Sequence, residues 1–192
     1  MSVVRTEKAA QVLRAAAELF YAHGIHAVGV DTIAAAAGVS KKTLYERFGS
    51  KDRLVAEYLA ERDAQWHSFL QERLRETDPA PVEQVVAVFR AAAEWAAQRG
   101  GKGCAMVNAH AEISDPAHPA HAAIVGQKRW MLELFRELAV QAGAAEPDEV
   151  AETLMLLHEG AVVSAGMSTF AGAFDRAATA ARRLMVSPAR RR

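Results

Sequence analysis

The chain has 192 residues, 51% of them hydrophobic and 24% charged, with 23 basic and 23 acidic side chains that cancel to zero net charge. That balance excludes an unfolded polyelectrolyte, and no apolar run reaches the roughly 18–20 residues a membrane span requires. The zero conceals an asymmetry: residues 1–53 carry eight Lys/Arg against five Asp/Glu, so this segment stands at +3 and the rest at −3.

A basic head on an acidic body steers one end toward phosphates. The single cysteine, Cys104, cannot form an intramolecular disulfide. The first residues hold no apolar stretch of signal-peptide length, and the two features together point to a soluble globular protein of the cytoplasm, with no membrane partner.

In chain order, apolar residues recur at helical spacing almost throughout, and no stretch alternates with period two between turn residues, so the expected fold is all-α. A first helix is predicted over 5–23, with Ala9, Leu13, Ala16, Ala17 and Phe20 inward and Gly24 as a left-handed C-cap. Two short helices follow, over 30–37 and 41–48. A fourth starts after Ser50, a good N-cap, and ends near Glu76, before Pro79. Helix 5 spans 82–99 and stops at Gly100-Gly101-Lys102-Gly103. A short helix over 104–113, two long apolar helices over 119–142 and 147–169, and a last one over 174–185 complete the chain. The end, 187–192, is a basic tail read as frayed, with a DNA contact by its arginines as the alternative.

The informative stretch runs from Val30 to Phe48. Ile33 and Ala34–Ala37 make a short helix whose small side chains admit a close crossing. Gly38 supplies the positive φ of a tight helix-to-helix turn, Val39 plugs it, and Ser40 can cap the next helix. There, Leu44 and Phe48 share the inward face, while Lys42, Thr43 and Glu46 point outward with Tyr45 on the flank. Two turns of helix held from behind and offering donors in front suit a major groove. An ordinary αα-corner with solvated lysines is the alternative.

Residues 9–59 resemble the N-terminal domain of the TetR family of bacterial transcriptional regulators. The likeness is carried by Ala15-Ala16-Ala17-Glu18-Leu19-Phe20 with Gly24, by Ile33-Ala34, by Ala37-Gly38-Val39-Ser40, by Thr43-Leu44-Tyr45 with Phe48, and by Ser50-Lys51-Asp52 with Leu54. It implies a homodimer on a palindromic double-stranded operator, usually a repressor released by a small molecule. It also implies that Lys41, Tyr45 and Lys51 contact phosphates, while Lys42 and Thr43 are best placed to read base edges. Gly29 stands where a capping threonine is frequent, and Asp31 and Glu46 bring carboxylates where neutral or basic residues are common.

The division that follows is a helix-turn-helix domain over 1–53, a helical effector-binding and dimerisation domain over 54–186, and the tail. The two long apolar helices each have more than one side to bury, which a four-helix dimer interface would satisfy. Leu154, Leu157, Ala161 and Ala165 form the candidate dimer stripe; a larger monomeric core is the alternative. Candidate effector contacts are Cys104, Asn108 and Glu112, spaced by four, with Trp95, Trp130, His158, Met167 and Phe170 as further walls or anchors of a mostly apolar cavity. Each of these could equally be core, cap or surface.

Other chemistries find little support. Asp115, His118 and His121 match no compact metal-ligand set, Gly100–Gly103 lacks the spacing of a nucleotide loop, and no serine elbow or His-Glu-x-x-His occurs. The sequence therefore implies no metal, no cofactor and no enzyme. Cys104, after a glycine turn and near Lys102 and Arg99, could be a redox thiol or a buried inert one. A DNA-binding module whose body recruits a protein partner, without a small ligand, is the competing function.

Overall fold

The computed structural model of the protein describes residues 6–186; the basic tail expected over 187–192 lies outside them. All regular structure among the described residues is helical: α1 (Glu7–His23), α2 (Val30–Ala36), α3 (Lys41–Phe48), α4 (Lys51–Arg75), α5 (Pro81–Arg99), α6 (Ala105–Glu112), α7 (His121–Gln141), α8 (Pro147–Gly166) and α9 (Ala173–Val186). The all-α fold expected from the periodicity is the fold observed.

Local chemistry sets most of the helix ends. Thr6 accepts from Ala9 N at 3.4 Å and opens α1, and Ser50 Oγ accepts from Arg53 N at 3.1 Å at the start of α4. Each satisfies one of the donors that a helix start leaves open. Gly24 ends α1 at φ 90°, ψ 154°, a positive φ but not the left-handed cap expected. The helix predicted to reach Thr169 ends at Gly166 instead. Ser168 takes φ 53°, and the amides of Ser168 and Thr169 turn back to Ala165 O and Ser164 O, both at 3.0 Å. This is a Schellman closure with serine at the left-handed position.

The chain forms two compact units. Among the described residues, one holds those up to Asp63 together with Ala105–Val125; the other holds Ala64–Cys104 and those from Gly126 onward. In the first unit α1, α2 and α3 pack on one another. Val12, Leu13, Ala16 and Phe20 of α1, Ile33 of α2, Leu44 and Phe48 of α3, and Leu54, Val55 and Tyr58 of α4 are buried. Phe20 and Tyr58 meet with ring centroids 5.8 Å apart. The inner face of α1 thus includes Val12, whereas Ala17 is only half-buried.

The second unit is a helical bundle. Its core joins Trp66 and Leu70 of α4, Val85, Val88 and Phe89 of α5, Met131 and Phe135 of α7, Leu154 and Ala161 of α8, and Ala177 and Ala181 of α9. α9 packs on α5 and α8, and the Arg182 guanidinium pairs with the Glu83 carboxylate across α9 and α5. Gly166 is required by close approach: a Cβ there would lie 2.7 Å from Gly103 N and 2.9 Å from Gly103 Cα. The end of α8 and the glycine-rich loop therefore meet backbone to backbone.

Candidate nucleic-acid interface and effector site

The turn between α2 and α3 is closed by its own backbone. Gly38, at φ 63°, donates to Ala35 O at 3.2 Å, and Val39 donates to Ala34 O at 3.0 Å. This pair of bonds is the Schellman motif, and its left-handed position explains the glycine. Ser40 then caps α3: its Oγ accepts from Thr43 N at 3.1 Å and lies 2.9 Å from Thr43 Oγ1. Leu44 and Phe48 are buried behind α3, fixing the helix from its inner side.

The outer side of α3 carries Lys41, Lys42, Tyr45, Glu46 and Arg47, all exposed, with Thr43 half-buried beside its cap. Lys51, at the start of α4, is half-buried. The two carboxylates without an evident role each have a partner. Asp31 of α2 takes the Lys41 ammonium at 3.0 and 3.1 Å, bracing α2 against α3 and raising the Lys41 pKa through that hydrogen bond and the adjacent charge. Glu46 lies 3.8 Å from Lys42 Nζ, one turn along α3. Both pairs are exposed, so each contributes little to stability. What they change is the field on this face, since two of its lysines are partly neutralised.

Of the triad of Cys104, Asn108 and Glu112, the last two lie on α6. Cys104 precedes α6 and belongs to the bundle unit, while Asn108 and Glu112 belong to the head unit. Glu112 is occupied: its carboxylate accepts from Ile25 N at 2.9 Å and from His26 N at 2.7 Å, with His26 Nδ1 at 3.3 Å. It fastens the C-terminal end of α6 to the turn after α1. Asn108 is exposed. Below it in the chain, His118 Nε2 sits 3.5 Å from Asp52 Oδ1, and among the described residues no group of three or more His, Cys, Asp or Glu could hold a metal ion.

In the bundle, Trp95 packs against Trp66 and Phe69, with ring centroids 5.6 and 5.4 Å away. Trp130 meets His67 edge-on at 4.6 Å. His158 is buried between Phe89 and Phe135, at 5.9 and 6.0 Å. Met167 and Phe170 do not line an interior: they face solvent in the single chain, Met167 at 75% exposure.

Cys104 Sγ lies 3.3 Å from Lys128 Nζ, and Lys128 reaches both Glu159 oxygens at 2.9 Å. Burial works against the Glu159 charge, but the His158 hydrogen bond and the Lys128 ammonium outweigh it and hold the carboxyl at about 2. Burial likewise opposes the Lys128 charge, and the Cys104 and Glu159 side chains overcome it, raising its pKa.

Among the described residues of this unit, His158 Nε2 and Gln127 Oε1 are buried without a hydrogen-bond partner. Gln127 was not among the sequence candidates. Its signal was present, since it stands four residues before Met131 and eight before Phe135, a polar side chain on a buried apolar stripe.

Of the dimer stripe expected from the sequence, two residues lie in the core and two are half-buried. Leu154 is 0% exposed and Ala161 is buried, both within the protomer's own core, and Leu157 packs against it half-buried. Ala165 is half-buried as well. The face that α8 turns outward carries Leu156, 74% exposed, with Val163 and Met167.

A short capped helix held from behind by Leu44 and Phe48, in a head followed by a helical bundle, defines a helix-turn-helix regulator. Residues 12–58 match the family described as bacterial regulatory proteins, tetR family. A TetR-family transcriptional regulator from Streptomyces coelicolor is similar over 94% of this chain and 93% of its own, at 34% identity and a TM-score of 0.81. The transcriptional regulator AcuR of Cereibacter sphaeroides is 28% identical over 162 residues, 80% of this chain and 74% of that protein. The HTH-type transcriptional activator FasR of Mycolicibacterium smegmatis is 42% identical over 73 residues, and the match spans 38% of this chain and only 33% of that protein.

The chain belongs to the TetR family of bacterial transcriptional regulators. It is a DNA-binding regulator rather than an enzyme. No helix among the described residues is long and apolar enough to cross a membrane.

Proposed function

We propose that the protein acts in the cytoplasm as a homodimeric repressor that binds a palindromic operator through α3 and leaves it when a small, mostly apolar effector enters the body. The observation that carries the DNA half of this reading is the outer face of α3. Lys42 and Thr43 are its base readers; Lys41, Tyr45 and Lys51 hold phosphates. Residues 1–53 serve as the reading head, and 54–186 as the effector and dimerisation body. The sign of regulation rests on the family's habit alone, and the partial relative FasR is named an activator.

Dimerisation is supported by α8. A helix that exposes Leu156, Val163 and Met167 along one side has an apolar face that water does not favour. A twin subunit laying the same face against it forms an isologous interface. The same stripe favours a second reading, in which the body recruits a different protein and takes no small ligand. The mass of the purified protein in solution separates these.

The direct test of DNA reading is selection of bound duplexes from a random pool by the full chain and by three variants. Lys42→Ala is expected to relax base preference, whereas Tyr45→Phe and Lys51→Ala weaken binding to all sequences alike. Unchanged selection and affinity in all three would remove α3 from the interface.

A further inference from the structure

We infer that the effector site takes an uncharged molecule that donates a hydrogen bond, such as an alcohol, a phenol or a secondary amide, anchored on His158 Nε2 and Gln127 Oε1. The inference rests on the reading that the body binds a small molecule, and it specifies that molecule's polarity.

His158 is 5% exposed and Gln127 6%, and each has an atom with no hydrogen-bond partner. Leaving such atoms unmatched in an interior is costly, so natural proteins seldom keep them without a partner.

The identity of the missing partner follows from the neighbours. His158 Nδ1 lies 3.3 Å from Glu159 Oε1. Glu159 is an ionised carboxylate and can only accept. Nδ1 therefore carries a proton toward Glu159, and with the ring taken as neutral Nε2 presents a lone pair. Gln127 Oε1 is a carbonyl oxygen, again an acceptor. Two acceptors ask for donors.

An organic acid is disfavoured by the same arrangement. The cation close by, Lys128, already spends its charge on both oxygens of Glu159, and a second carboxylate would have to compete for it. Phe89 and Phe135 flank His158, and Met131 and Phe135 continue the buried face of α7 that Gln127 begins. The body of the ligand is thus met by aromatic and aliphatic surface, as a site with few fixed polar anchors requires.

The test uses the full chain and two matched series: 4-ethylphenol, ethylbenzene and 4-ethylbenzoate; then 1-octanol, octane and octanoate. Dissociation constants come from calorimetry, and release of the selected operator is followed in parallel by fluorescence anisotropy. The neutral donor of at least one series is expected to bind at least tenfold more tightly than the hydrocarbon and the acid of the same shape. His158→Phe and Gln127→Leu should each weaken it about three- to tenfold, the value of one hydrogen bond. If His158→Phe fails to fold, the wild-type series and Gln127→Leu still decide the matter.

Equal or tighter binding of the hydrocarbons or acids overturns the inference, as does donor binding that both variants leave unchanged, or binding by no compound at all. Acids or hydrocarbons that bind and release the operator would leave the effector reading standing while the donor inference falls. An operator that no bound compound displaces would instead count against the effector reading.

Discussion

At the scale of single residues, charge pairing governs what α3 can offer DNA. Asp31 holds Lys41 at 3.0 Å on an exposed surface, so in the proposed phosphate contact the lysine would share its charge with a carboxylate. Asp31→Asn is expected to tighten binding to any duplex several-fold and to steepen its salt dependence by about one counterion, the signature of one more phosphate contact. Titrations of a fixed duplex at several salt concentrations check this; an unchanged slope would mean Lys41 is not a phosphate contact.

A second residue-scale prediction concerns Glu159. Its carboxyl titrates near 2 in the fold, against an ordinary 4.5. A depressed acid lends stability that is complete above its unfolded value and is lost as pH falls through the folded one. The thermal midpoint should therefore drop between about pH 4.5 and pH 2 through this group, and Glu159→Gln should flatten that part of the profile. A variant with the wild-type slope would show that the Lys128–Glu159 pair is not linked to folding.

The residue scale also marks where sequence reading stopped. The cap at Ser40, the glycine at 38 and the anchors Leu44 and Phe48 were all legible, because each depends on neighbours within four residues. The partners of Asp31 and Glu112 were not. Glu112 meets Ile25 and His26, more than eighty positions earlier in the chain, and helical spacing carries no information about such a pairing.

Among the elements, α8 is the instructive case. Its sequence is apolar on nearly every side, with Leu154, Met155, Leu156 and Leu157 in succession, so periodicity does not select an inner face. The bundle resolves the ambiguity by burying Leu154 and Ala161 and turning Leu156 outward. Two substitutions separate the faces. Leu154→Ala should cost roughly 2–5 kcal/mol of stability by opening a cavity, with little direct effect on association. Leu156→Glu should leave the fold intact and shift the protein toward monomer in light scattering across a concentration series. If Leu156→Glu remains as associated as the wild type, the interface lies elsewhere.

Helix boundaries divide in the same way. α3 spans the residues the sequence indicated, 41–48, because its cap and its stop are local. The sequence predicts α8 three residues too long, since Met167-Ser168-Thr169 has no glycine or proline to end it. Ser168 adopts a positive φ of 53°, which its composition does not announce.

At the scale of the whole molecule, symmetry makes a prediction about the DNA. If two chains associate through equivalent α8 faces, two α3 helices are presented as a related pair, and the operator must carry the same two-fold relation. Selected sequences should show two inverted half-sites whose centres lie about one helical turn, 34–36 Å, apart or slightly more. A selected site with a single, unrepeated half would contradict a dimeric reader.

By itself, the sequence determined the class of fold, the helix-turn-helix and its family, because those depend on short-range periodicity, caps and a turn glycine. The tertiary structure alone decided which side of α8 is core, that Glu112 ties α6 to the turn after α1, and that His158 and Gln127 hold buried polar atoms without a partner. Those facts arise from packing between segments far apart in the chain, where burial, not spacing, selects the partner of each polar group.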